Sequence, residues 1–370
     1  MPIRLLLLLV ATLLAPAAAR AETIDVPVAS QALVRIEVQQ ADVVIQGVPG
    51  ERLRISAPRA QIQRESYTPT PGDNAIRILP VGVQTAQGRH LDLPGETFAY
   101  TPLSPGPHAA FVVTGGFAGR ITVALPEQAG IVLVKMERGR LMARGVRNGG
   151  LLAELDHGAI ALSRFSGTAY LQVAGGPISV AGSQLEHVRL RTGAGAIVVR
   201  NSTVAQLQAS SILGDVIVDD ATFLPGLARL ESREGAVALG VGAGGAQVTG
   251  STGSGRVFTM LDGEGQPRID RGGVSTLVHG GGPAVTLRSE SGSLFLYGGS
   301  LDGATLPPAW RRMGALLRRF EAPRRFETPQ RRPRRLRLEQ APRAPDQSRN
   351  LRSTSTSSLN VCCGRVASTR

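Results

Sequence analysis

Between Gly139 and Tyr297, apolar and polar positions alternate in a short pattern that returns about every nineteen residues. Glycines stand at 139, 158, 176, 195, 214, 235 and 255, with a late member at 292. Two places after them come Leu141, Ile160, Ile178, Ile197, Val216, Val237, Val257 and Leu294, all apolar. Four places after come Ala143, Leu162, Val180, Val199, Val218, Leu239, Thr259 and Leu296. Such period-two alternation predicts a strand with one side turned inward. A second apolar cluster follows in most units, at Leu151 and Leu155, Leu171 and Val173, Val188 and Leu190, Leu207, Leu227 and Leu230, and Val248. Each unit therefore reads as two short strands and two turns.

One such unit cannot bury its apolar side alone, whereas units stacked on their neighbours can. The expected fold is all-β: a single-stranded parallel β-solenoid, or β-helix, with coils of about nineteen residues. A two-sheet sandwich also has short strands between regular turns, but has no reason to repeat the side chains of one strand at every second strand. The glycines suit turns that need positive φ or close backbone approach.

Residues 1–21 carry a secretory-signal pattern: Arg4, an apolar run from Leu5 to Leu14, and a small-residue site at Ala19-Arg20-Ala21. Export to the periplasm or cell surface is expected. Residues 22–110 form an expected β-rich N-terminal cap, atypical because an end unit must cover an open core, or a small separate β-domain. Within it, 59–110 is rich in Pro, Gly, Gln and Thr and reads as an irregular excursion, strand-like only near Ile76 to Val83. The repeats are placed at 111–300, entered through the Leu125-Pro126 turn.

Charge changes the picture only at the end of the chain. The formal net charge is +13, yet residues 308–370 alone hold sixteen Arg against Glu321, Glu327, Glu339 and Asp346. The body is therefore close to neutral, and specific nucleic-acid binding is not expected of it. Residues 301–370 read as an Arg- and Pro-rich disordered tail interrupted by one short amphipathic helix at 309–320. In that helix Trp310, Met313, Leu316, Leu317 and Phe320 fall near one side and Arg311, Arg312, Arg318 and Arg319 near the other. Trp310 and these four arginines are the expected contacts to an anionic membrane or polysaccharide.

Signatures of chemistry are sparse, and no catalytic residue, cofactor or metal is expected. Cys362 and Cys363 are adjacent near the C-terminus and match no zinc pattern. Gly240 to Gly245 spells a Gly-x-Gly-x-x-Gly, but strand and turn residues follow where a dinucleotide site needs a helix. The five histidines lack metal-ligand spacing. Alignment of the units on their glycines leaves Asp215 alone in its column and pairs Asp219 and Asp220 with no other carboxylate, so a glycan-cleaving carboxylate pair is not indicated.

The leader, the strands ending in Leu125-Pro126, and the coils Gly195-Ala-Ile-Val-Val199, Gly214-Asp-Val-Ile-Val218, Gly235-Ala-Val-Ala-Leu239 and Ser291-Gly-Ser-Leu-Phe-Leu296 resemble the bacterial putative-adhesin β-solenoid family. That family is related to the putative auto-transporter adhesin, head-GIN-domain group. The resemblance covers about 111–297 and, more faintly, 22–58. It implies an exported β-solenoid and supplies no site residues; an orderly core with no convergent polar site adds the expectation of a non-enzymatic interaction or envelope scaffold, with an envelope protein or glycan as partner. The alternatives are a glycan-active β-helix enzyme, or tethering to a polyanion or membrane through the basic tail.

Overall fold

The computed structural model describes residues 22–28, 32–67, 75–78, 80–84, 89–99, 108–126, 130–147, 149–261, 267–301 and 310–319. The signal segment and everything after 319 lie outside them. The chain is almost all β, 72% strand and 3% helix. A sheet of twenty-one strands runs through the body, and two small hairpin pairings, 75–78 with 96–99 and 81–84 with 90–93, stand apart from it.

The repeat register is written directly into the pairing. Leu141 lies beside Ile160, Ile160 beside Ile178, then Ile197, Val216 and Val237 in turn, every pair parallel. A second series pairs Leu155 with Val173, Val173 with Thr192 and Thr192 with Ser211. Side chains two apart along these strands meet in one apolar core, with Ile178, Ile197, Val199, Val216 and Val218 fully buried. An antiparallel sandwich is excluded for this region.

The plain coil series expected from the sequence is met only in part. Seven parallel strands, Gly149–Ser163, Ser166–Gly175, Gln184–Ala194, Thr203–Ser211, Val216–Phe223, Ile197–Arg200 and Ile178–Ala181, close on one another as a barrel. Other strands lie outside this ring. Closure comes from a short pairing of Thr203 with Thr222 and Val204 with Phe223, which joins the two strand series at a corner.

At the C-terminal end, neighbours do not follow chain order. Val237 pairs with Leu294, and Leu294 with Val257, so the member at Gly292 sits between those at 235 and 255. The sequence spacing, close to two periods, misleads here. The chain skips a level to build Ala246–Thr252 and Val257–Met260, turns back through Gly273–Val278, and threads Ala284–Ser289 and Leu294–Gly298 into the gap. The N-terminal end is built the same way, Leu33–Val48 lying between His108–Pro126 and Ile131–Arg144. Antiparallel strands then cover each end: Arg52–Ala57 and Gln61–Tyr67 on His108–Pro126, and Gly273–Val278 on Ala246–Thr252. Exposed edges of a parallel sheet would otherwise recruit other chains.

The repeat glycines have a shared reason. A Cβ on Gly214 would stand 1.7 Å from the carbonyl oxygen of Gly195, and one on Gly292 would stand 2.0 Å from that of Gly235. Close approach, not positive φ, decides at 195, 214, 235, 255 and 292; only 139, 158 and 176 need both. Three residues before several of these glycines a buried hydroxyl pins the corner. Ser232 Oγ donates to the Gly214 carbonyl at 2.8 Å and accepts from Gly235 N at 2.8 Å, and Ser211, Ser289 and Thr252 repeat the arrangement. One expected core residue points the other way. Leu227 is 52% exposed, and Ala228 and Leu230 supply the inward side of its strand.

Candidate functional site

Four residues before each repeat glycine, the side chain points away from the core. Pairing aligns these positions as a ladder: Glu37, Lys135, Glu154, Gln172, Arg191, Ser210, Glu231, Arg288 and Ser251. Rungs of a sheet are about 4.8 Å apart, so Glu37 and Glu154 flank Lys135 with backbones roughly 10 Å from each other. On the repeat side of these rungs, Glu137 and Asp156 occupy level positions, since Met136 pairs with Leu155 and Arg138 with His157.

The paired strands Val81–Gln84 and His90–Leu93 lean over this ladder. Val81 is buried, with its methyl and that of Val83 against Gly193, whose missing side chain makes the approach feasible. Arg191 is 2% exposed; its guanidinium donates through Nη2 to the Pro94 carbonyl at 2.6 Å, while Nη1 is buried without a hydrogen-bond partner. Arg89 pairs with Glu234 at 2.6 Å, tying the strand pair farther along.

Between strand pair and ladder runs a cavity of about 460 Å³ lined by Glu37, Lys135, Glu137, Glu154, Asp156, Gln172, Pro80 and Val81 among others. A second hollow of about 230 Å³ shares Glu37, Lys135 and Glu154 and continues over Leu133, Leu152 and Tyr170. Together they make a groove with charged rungs in its floor and an apolar margin. Burial pushes the Glu154 carboxyl above its ordinary pKa; the charge of Lys135 opposes the rise and that of Asp156 adds to it. Tyr170 donates its hydroxyl to Gln172 Oε1 at 2.7 Å, fixing the amide at the groove's inner end. The column sets a cation between two carboxylates, beside two further acids, so it presents alternating charge and hydrogen-bonding groups along the groove. Among the described residues no cluster of His, Cys, Asp and Glu suits a metal ion.

Alignment on the glycines looked forward from each glycine and so passed over the ladder. Reading four places backward finds it: Lys135, Glu154, Gln172, Arg191, Ser210 and Glu231 hold that place before 139, 158, 176, 195, 214 and 235. Asp215 is a structural cap, its Oδ1 accepting from Ala236 N at 2.8 Å.

The expected surface-contact residues lie on the opposite flank. There Val198, Ile217, Ala238 and Phe295 form an outward apolar column, and helix α1 (Arg311–Arg319) packs on it. Trp310 is 4% exposed, edge-on to Phe295 and Tyr297 with ring centroids 5.0 and 5.6 Å away. Docked in this way, Trp310 faces the aromatic rings of the body rather than solvent. Arg311 and Arg318 are exposed; the side chains of Arg312 and Arg319 lie outside the described residues. Under the helix, Asp219 is fully buried. It accepts from Tyr297 Oη (2.9 Å), Ser300 Oγ (3.1 Å), Leu301 N (3.2 Å) and Arg200 Nε (3.3 Å), and Arg200 Nη1 reaches the Leu317 carbonyl at 3.5 Å. A body cut at 300 would lose this contact.

No protein-family model matches the chain, and no curated protein does. A solved structure described as a "putative cell adhesion protein" from Clostridium sporogenes is similar over 75% of this chain and 100% of its own, at 9% identity and a TM-score of 0.17. A score that low says nothing about shared architecture. What stands is an all-β protein whose parallel core carries a polar groove on one flank and a helix-covered apolar strip on the other.

Proposed function

We propose that this chain is an exported, non-enzymatic β-solenoid that works as an adhesin-like interaction scaffold of the cell envelope. The barrel and its outlying strands are then one continuous solenoid: equivalent residues pair one repeat apart through the ring and past it, and the ring closes only where two strands meet at a corner. The observation that carries the functional reading is the groove along the ladder from Glu37 to Gln172, whose rungs recur at the spacing of the sheet. A rigid array of that kind suits an extended, repeating partner such as an envelope glycan. The resemblance to the adhesin family supports the same reading.

Binding of the mature chain, residues 22–370, to a panel of envelope glycans tests it, measured at high salt to suppress contacts from the arginine-rich end. Charge reversal at Lys135 and Glu154 (K135E, E154K) should weaken binding at least tenfold while leaving the circular dichroism unchanged. Binding indifferent to both substitutions, or no binding to any polymer in the panel, contradicts the proposal.

One observation favours a second reading, glycan cleavage. Burial shifts the Glu154 carboxyl upward, and it lies beside Asp156 and Glu137, an arrangement that a general acid near a second carboxylate would use. Release of new reducing ends, abolished by Glu154→Gln, would establish that reading in place of the scaffold. Binding without release supports the scaffold.

A further inference from the structure

The apolar side of helix α1 is taken up by the outward strip of the body. Leu317 and the preceding Trp310 are buried on the body, Leu316 is half-buried, and Arg311 and Arg318 face water, where among the described residues neither forms an ion pair. The helix is nine residues long, too short to persist alone in water, so its stability comes from whatever it lies on. Its first turn holds Arg311 and Arg312 and no acid, which places positive charge at the positive end of the helix dipole. Among the described residues no carboxylate pairs with Arg311 to relieve that repulsion. A layer of phosphate headgroups would, while also accepting Trp310 and Leu317 into its interfacial zone.

We infer that α1 is a membrane-contact element held in reserve: it exchanges between the Val198–Ile217–Ala238–Phe295 strip of the body and an anionic lipid bilayer, and uncovers that strip when it leaves. Docking on the body and insertion into lipid are competing equilibria, because both consume the Trp310 and Leu317 side chains. Weakening the docked state therefore strengthens apparent lipid binding, by the factor through which the released population grows.

Trp310 is the single tryptophan of the chain, so its fluorescence reports on α1 alone. The mature chain, residues 22–370, is titrated with vesicles of phosphatidylcholine alone or with phosphatidylglycerol, carrying brominated acyl chains. The expected result is quenching of Trp310 by phosphatidylglycerol vesicles only, reduced at least tenfold in apparent affinity between low and physiological salt. Phe295→Ala, which thins the body's side of the contact without touching the helix, should lower the lipid needed for half-quenching severalfold. Arg311→Gln with Arg318→Gln should abolish quenching while leaving the lipid-free emission maximum in place. Vesicle binding with Trp310 unquenched, quenching equal on both lipids, or a Phe295→Ala variant that needs the same lipid or more, each overturns the inference.

Discussion

The two flanks of the β body are built on the same repeat and end in opposite surfaces. On one, the outward column runs Glu37, Lys135, Glu154, Gln172 and Arg191, with a groove above it; on the other it runs Ser179, Val198, Ile217, Ala238 and Phe295, with a helix upon it. Inward positions on both sides are mostly aliphatic, with buried hydroxyls at the corners. The interior therefore decides that the chain folds, and the outward columns decide what each flank can meet. The apolar flank contains its own exception, the Asp219 carboxylate with Arg200, buried where the helix closes over it.

That exception gives the largest expected effect. Asp219→Ala removes the acceptor shared by Tyr297, Ser300 and the Leu301 amide and breaks a buried ion pair, so unfolding in urea should register a loss of about 3–5 kcal/mol. The corner common to both flanks comes next. Gly214→Ala forces a Cβ against the Gly195 carbonyl and should cost about 2–3 kcal/mol, while Gly182→Ala, with φ of +56° and open space around it, should cost only about 1 kcal/mol. Equal losses at the two glycines would mean that neighbouring backbones are not in close contact at 214.

The smallest effect belongs to the groove. Burial raises the Glu154 pKa above its unfolded value, so the folded state takes up its proton more readily. This group favours folding less as pH climbs from the unfolded pKa through the raised one, and its full penalty is present above both. Glu154→Gln should therefore change stability more favourably at pH 7 than at pH 4, by a margin small enough to need paired denaturation curves. A variant more favourable at pH 4 would contradict the assigned direction.

Much of the interior was legible in the sequence because a period of two within a period of nineteen is a statement about neighbours. Gly-x-apolar-x-apolar at 195, 214 and 235 names residues that do pair, Ile197 with Val216 and Val216 with Val237. Order at the ends was not legible. The strand at 294–298 has the same local pattern as that at 257–260, and nothing local says which of them lies against 237–241. The groove was half legible: its ladder is periodic in the sequence, but its roof is the strand pair 81–84 and 90–93, which reaches residues about a hundred places downstream, as Pro94 and Arg191 do. The amphipathic pattern of 309–320 was plain, and the surface it would choose was not, since aromatic rings of the body and a lipid interface satisfy Trp310 alike.

Cysteine cross-linking tests the placement of the windings most directly. With Cys362 and Cys363 replaced by serine, cysteines at 231 and 288 should form a disulfide readily in the folded chain, because Glu231 and Arg288 are partners on adjacent strands. Cysteines at 231 and 251 should not, since the strand carrying Arg288 lies between them and two rungs span about 10 Å, beyond disulfide reach. A bond at 231–251 together with none at 231–288 would show windings that follow chain order, and would contradict the threaded arrangement of the C-terminal end.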